Sequence, residues 1–165
     1  MTNASILTAP SAPRTGADAT SRRRAVFRRR QQLFGLEIEL VREVLPGQPL
    51  SRVARSAEEV LGVLNLRGEV LPVVVVDRWL GLKPVADDSL LPILVLRRGD
   101  LLVGLRVDAI QSVVAIPPLE IQPHPGAGGE AHFTGLWQPA GRPAMTLISG
   151  AALLETLCKL TSINP

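Results

Sequence analysis

What most limits the fold of this chain is the form of its apolar runs: they are short, rich in β-branched residues, and broken by glycine or proline. The clearest is Val70-Leu71-Pro72-Val73-Val74-Val75-Val76. Such a run is too short for most helices, and valine loses side-chain freedom in a helix but packs well on a pleated surface. It reads as a strand covered on both faces, with Pro72 near its start or at a bulge, where a missing N–H does no harm.

The same grammar recurs along the chain. Leu36, Ile38 and Leu40 alternate with Glu37 and Glu39, the period-two pattern of a half-buried strand. Leu91 to Leu96 and Leu101 to Val107 flank Arg97-Arg98-Gly99-Asp100 and read as a β-hairpin, with the Arg-Gly-Asp triplet serving as turn chemistry. After turns at Pro117-Pro118 and from Pro123 to Gly129, Phe133 to Leu136 and Ala144 to Ile148 supply the last strands.

Three local helical features are expected between them. Ser56-Ala57-Glu58-Glu59 fits a capping box opening a helix of one or two turns, which Gly62 ends. Asp77 caps a single turn, Arg78-Trp79-Leu80, closed by Gly81. Ser149 caps a C-terminal helix in which Leu153, Leu157 and Leu160 form one apolar stripe. Many short strands with one terminal helix make a mostly β barrel or sandwich the expected fold class.

A chain of 165 residues buries roughly 70% of its unfolded surface, enough to fold alone. No apolar stretch approaches the ~20 residues of a membrane-spanning helix. Cys158, the single cysteine, excludes an internal disulfide and reads as a buried, inert thiol, while His124 and His132 alone leave no zinc ligand set. The expectation is a reducing, cytoplasmic compartment with no metal and no cofactor.

The formal charge of +3 hides an asymmetry, because residues 1–30 carry seven arginines against Asp18 alone. The rest of the chain is slightly acidic. Residues 1–21 read as a disordered tail; Pro10, Pro13 and Gly16 argue against the helix an organelle transit peptide would need. Residues 22–160 form the expected domain and 161–165 a C-terminal tail. Arg22-Arg23-Arg24 reads first as a solvated arm, next as a contact for an acidic partner or anionic lipid, and last as a nucleic-acid site. Single-strand readers interleave basic residues with stacking aromatics, and only Phe27 lies in the basic segment.

Catalytic signatures are missing: there is no phosphate loop, nucleophile elbow or metal helix of the H-E-x-x-H kind. Gly126 to Ala131 matches a relaxed dinucleotide pattern without a strand before it or a helix after it, so it reads as a flexible loop. His124 lies between Pro123 and Pro125, and neither it nor His132 has a nucleophile or carboxylate at a telling spacing. A small hydrolase or transferase is the weakest reading, and the chain is not expected to be an enzyme.

Three segments carry a resemblance. Gly62-Val63-Leu64-Asn65-Leu66-Arg67-Gly68-Glu69-Val70-Leu71-Pro72-Val73, continuing to Leu80-Gly81-Leu82, resembles the signature of the CheW family of chemotaxis coupling proteins. Phe34-Gly35-Leu36-Glu37-Ile38, followed by Val41-Arg42-Glu43-Val44, is similar to that family's second strand and V-x-E-V element. Val103-Gly104-Leu105-Arg106-Val107-Asp108-Ala109-Ile110 resembles its V-G-L-x-V-D segment, and Phe133 to Leu154 its closing strands and helix.

The resemblance covers about residues 25 to 157 in one order. It implies two packed, five-stranded SH3-like β-barrels with a short C-terminal helix. It also implies a non-catalytic scaffold linking methyl-accepting chemotaxis-type receptors to a CheA-type histidine kinase, in a flagellar or type IV pilus array at the inner membrane. Receptor or kinase contact falls on Val41, Glu43, Val44, Asn65, Leu66, Arg67 and Gly68, with Arg67 either a contact or a stitch between the barrels. Gly62, Gly81, Gly104 and Asp108 read as structural, Asp108 as a turn acceptor.

The chain departs from the family pattern in three places. Where the family reads P-V-V-D-L-R, Pro72 to Asp77 places Val75 at the acid and Asp77 at the base. Arg28-Arg29-Arg30 is unusually basic for the first hairpin turn, and the closing strand ends Ile148-Ser149 where Leu-Asp is common.

Overall fold

Alternation of apolar residues with period two resolves into ten strands, and the two faces of the central ones meet different apolar clusters. The computed structural model describes residues 21–84, 90–127 and 132–162. Most of the expected N-terminal tail, the last residues of the C-terminal tail and the last four residues of the Gly126 to Ala131 loop lie outside them.

The strands are β1 (Arg22–Arg29), β2 (Gln32–Glu37), β3 (Val41–Leu45), β4 (Val60–Leu66), β5 (Glu69–Val75), β6 (Ile93–Arg98), β7 (Leu101–Arg106), β8 (Ala109–Ile116), β9 (Phe133–Trp137) and β10 (Met145–Ile148), followed by helix α1 (Gly150–Thr161). They form two five-stranded sheets, ordered β8-β1-β2-β10-β9 and β3-β6-β7-β5-β4. Mostly β with two small five-stranded units and one terminal helix is the expected class.

The two sheets repeat one plan. In each, a hairpin is flanked by an antiparallel edge strand on one side and a parallel strand on the other: β8, β1-β2 and β10 in the first sheet, β3, β6-β7 and β5 in the second. Phe27 faces Phe34 as Leu96 faces Val103. Register shifts fall at matching places, skipping Arg42 in β3 and Gln111 in β8. The strands are exchanged, since β3, β4 and β5 follow the hairpin of the first sheet but build the second, and β8, β9 and β10 do the reverse.

Neither sheet closes by a continuous ladder between its edge strands among the described residues. Each closes at one point just beyond the edge. Ser51 pairs with Val63 through two backbone bonds of 3.0 and 2.8 Å, and Gln122 with Leu136 through two of 2.8 Å. A glycine precedes each receiving residue because the backbones approach closely there. A Cβ on Gly62, whose φ is +153°, would lie 2.7 Å from the Ser51 carbonyl oxygen, and one on Gly135 would lie 2.4 Å from Ile121 Cγ2.

Alternation then sorts the core. Ala25, Phe27, Phe34, Leu36, Val74, Leu94, Leu96, Val103, Leu105 and Ile148 meet between the sheets, where α1 adds Leu153, Leu154 and Leu157. The opposite faces fill each sheet's own interior: Leu66, Leu71, Val73, Ile93 and Val95 in one, Val26, Ile116, Met145 and Leu147 in the other. Thus β5 is covered on both faces as expected, Leu71 and Val73 on one and Val74 on the other. Gly104 sits at the close approach of Ile93 and Val73, where a Cβ would come within 2.7 Å of Ile93 Cγ2.

Local expectations divide. The hairpin from Ile93 to Arg106 forms, and Ser149 caps α1 by accepting from the Ala152 N–H at 3.2 Å. Asp77 to Leu80 makes a single tight turn, and Gly81 closes it in the left-handed conformation at φ 69°. Asp77 does not cap that turn, because its carboxylate is engaged elsewhere. The helix after Ser56 is absent: Ser56 Oγ donates to the Val53 carbonyl at 3.0 Å, residues 58–59 form a turn, and Gly62 lies inside β4. The β-branched alternation that follows outweighs the capping signal.

Candidate functional site

The N-L-R-G segment is the hairpin turn between β4 and β5. Leu66 pairs with Glu69, leaving Arg67 and Gly68 as a two-residue loop with φ 52° and 88°. Both angles are positive, as a type I′ turn requires, and its twist matches that of the strands. Glycine takes such an angle freely, whereas Arg67 needs help from its surroundings. Asn65 Oδ1 supplies it by accepting the Gly68 N–H at 2.8 Å.

The turn displays Arg67, whose side chain is 70% exposed, against the edge strand β3. Its Nη1 and Nη2 donate to Glu43 Oε1 and Oε2 at 3.2 and 3.3 Å, a bidentate pair. The charges continue from there: Arg42 Nε lies 3.7 Å from Glu43 Oε1, Arg42 Nη1 donates to Glu69 Oε2 at 2.8 Å, and Arg97 Nη1 donates to both Glu69 oxygens at 3.0 and 2.9 Å. Bonds from Arg97 and Arg42 hold the Glu69 carboxyl below its usual range.

This alternating ladder runs from the turn through β3 to β6, and so spans the gap between edge strands that the backbone leaves open. Single exposed ion pairs contribute little, whereas a network with bidentate members holds its side chains in place. Apolar surface borders it: Val44 is 44% exposed and Val70 68%. The arrangement presents charges already fixed in position.

The structure thus brings Glu43, Asn65, Arg67 and Gly68 together and places Val44 on the same edge strand. Val41 is half-buried against the central core, and Leu66 is buried in the interior of the second sheet. Leu66 therefore anchors the turn from within and does not face outward. Arg67 joins two edges of one sheet and does not stitch one barrel to the other.

That stitch is elsewhere, in residues whose role the sequence did not disclose. Arg29 and Asp77 are each 1% exposed. Arg29 donates from Nε to Asp77 Oδ1, from Nη2 to Asp77 Oδ2 at 3.0 Å and from Nη1 to Asp108 Oδ1 at 3.0 Å. Arg30 adds a bond from Nη2 to Asp77 Oδ2 at 3.1 Å, and its backbone N–H donates to Asp108 Oδ2 at 2.7 Å. Through that backbone bond Asp108 holds the left-handed Arg30-Gln31 turn (φ 51° and 66°). The basic run is consequently a strand and its turn, not an arm: Arg24 is buried too, 3.6 Å from Glu37 Oε1.

Among the described residues no group of three His, Cys, Asp or Glu is placed to hold a metal ion, and no helix is long and apolar enough to cross a membrane. His132 Nε2 meets the Thr156 hydroxyl at 3.1 Å, and His124 Nδ1 accepts the Gly126 N–H at 2.9 Å. Burial raises the Cys158 thiol above its usual range, against a backbone bond from Leu102.

With this geometry in place, the profile of the CheW-like domain matches residues 25–157. The chain belongs to the CheW-like family. The probable chemotaxis protein CheW of Rhizobium etli is 36% identical over 99 residues, which are 60% of this chain and 64% of that protein. The match therefore spans slightly under two thirds of that relative's length. Protein FrzA of Myxococcus xanthus is 31% identical over 126 residues, 74% of this chain and 79% of FrzA. The crystal structure of the scaffolding protein TtCheW from Thermoanaerobacter tengcongensis aligns with a TM-score of 0.72 at 25% identity, covering 87% of this chain and 99% of that one.

Set in the CheW-like frame, two of the three departures from the family pattern become one. The unusual base Arg29 and the unusual acid Asp77 are each other's partners, and burial of either charge alone would be costly.

Proposed function

We propose that this CheW-like chain is a non-catalytic cytoplasmic adaptor that couples chemoreceptor tips to a CheA-type histidine kinase in a chemosensory array. The fixed Arg67–Glu43 pair, at the end of a charge ladder beside exposed Val44, carries the reading. A pre-ordered side-chain patch loses little entropy on docking, which is what a reversible protein contact needs. In this reading Val41, Glu43, Val44 and Arg67 meet the receptor, with Asn65 and Gly68 shaping the turn that presents Arg67. Similarity to chemotaxis proteins and to a scaffolding protein supports it.

The test is binding of a receptor signalling-tip fragment by calorimetry. Arg67→Glu, which sets two acids face to face, is expected to weaken binding by about 2 kcal/mol or more. Unchanged binding and unchanged kinase control by that variant would remove Arg67 from the contact. The competing view, an anionic-surface or nucleic-acid binder, is left with fewer residues, because Arg24, Arg29 and Arg30 are engaged by Glu37, Asp77 and Asp108 while Arg22, Arg23 and Arg28 remain exposed.

A further inference from the structure

The internal repeat invites comparison of the two sheets position by position. In the second sheet Glu69, which follows the Gly68 turn, is held between Arg97 of β6 and Arg42 at the bulge of β3. The matching positions in the first sheet are Arg28 of β1 and Gln111 at the bulge of β8, and the register that sets Val73 against Gly104 and Leu147 against Gly35 puts Pro143 where Glu69 stands, with Arg142 just before it. One frame thus carries base-acid-base in one sheet, whereas in the other the acid is replaced by a proline between a base and an amide, and Arg142 adds a second base beside it.

Arg28, Gln111 and Arg142 line a cleft of about 370 Å³, whose apolar lining includes Leu33, Trp137 and Met145. No acid is among its lining residues, and among the described residues neither exposed guanidinium has a carboxylate within ion-pair distance. Glu120 takes the Trp137 indole N–H at 2.8 Å and stands outside the lining. Two like charges beside an apolar wall attract a compact anion that can settle between them.

The geometry points to a second protein-docking surface at this cleft. It receives an acidic side chain of a partner protein, flanked by an apolar one, and the carboxylate sits near Arg28 and Arg142 as Glu69 sits between Arg42 and Arg97. A carboxylate fits better than a phosphate backbone, which calls for a track of cations, whereas here two arginines border an apolar cleft. The inference extends the adaptor reading by supplying a surface on the other sheet, but its test is independent of the partners named there.

The test is an NMR titration of the full chain with a short capped peptide carrying Glu between two Leu, read on the indole N–H signals of Trp137 and Trp79. The expected result is a saturable shift of the Trp137 signal with Trp79 unmoved. The peptide with Gln for Glu, and the R28E/R142E variant, should each lower the apparent affinity by roughly tenfold. R28Q/R142Q should give an intermediate loss. Equal shifts from Glu and Gln peptides, no shift at Trp137, or tighter binding of a single-stranded oligonucleotide at the same signal would overturn the proposal. Failure of Arg67→Glu to affect receptor binding would refute the other site and leave this one standing.

Discussion

Removing the acid from the buried clasp, by Asp77→Asn, tests whether one ion cluster fixes the two sheets against each other. The substitution keeps the shape of the side chain and takes away the charge that Arg29 meets with two bonds and Arg30 with one. Arg29, 1% exposed, then keeps Asp108 as an acidic partner but loses its bonds to the Asp77 charge. Breaking a buried pair from one side costs about 3–5 kcal/mol, because the remaining charge is left under-compensated. Retained bonds to Asp108 and to the Asn oxygen place the expectation near the lower end, about 3 kcal/mol. For a domain of this size that corresponds to a fall in Tm of roughly 6–12 °C. Urea unfolding followed by tryptophan fluorescence gives the free energy, with an unchanged slope as the sign that the unfolded state is unaffected. Replacing both partners, Arg29→Met with Asp77→Leu, should recover most of the loss, since the two fully buried charges are gone and the partners left behind, Arg30 and Asp108, are part-exposed to water. A loss below about 1 kcal/mol for Asp77→Asn, the scale of an ordinary surface change, would refute the reasoning.

Three further outcomes follow from other parts of the molecule. Gly62→Val should destabilise by about 1–3 kcal/mol in urea unfolding, because its Cβ collides with the Ser51 carbonyl at the point where the second sheet closes; a neutral effect would mean that this bridge is dispensable. The contribution of Glu69, whose carboxyl is lowered by Arg97 and Arg42, should be complete above the unfolded carboxyl pKa of about 4.3 and disappear as pH falls through the lower folded value. The stability gap between the natural chain and Glu69→Gln should therefore narrow on acidification, and a gap independent of pH would contradict the ladder. Cys158, raised by burial, should be alkylated near pH 8 more slowly than a cysteine in an unstructured peptide, and equal rates would show the thiol to be open.

Much of the architecture is legible wherever one face of a strand is buried and the period of two survives. The hairpin at Gly99, the strand from Val70 and the helix after Ser149 all announce themselves by local chemistry. Local chemistry also misleads at Ser56, where a capping box has no helical stretch to follow it. The clasp is invisible from the sequence because Arg29 finds Asp77 from 48 residues away and Asp108 from 79, and a run of arginines otherwise reads as solvated. Of the candidate site, the resemblance gave the residues, but only the structure shows that Glu43 and Arg67 are a pair and that Leu66 points inward. The repeat was there to be read in Leu33-Phe34-Gly35-Leu36 and Leu102-Val103-Gly104-Leu105, whose glycines make room for the packing of each interior.

The exchange of strands has a mechanical consequence. Each hairpin is completed by strands from the opposite end of the polypeptide, so neither lobe can be detached, lost or melted while the other persists. A cut in the segment between Gly81 and Pro92 should leave a heterodimer of fragments that stay together, and each fragment alone should remain unfolded. This cross-bracing means that a pull on one lobe is borne by the whole body.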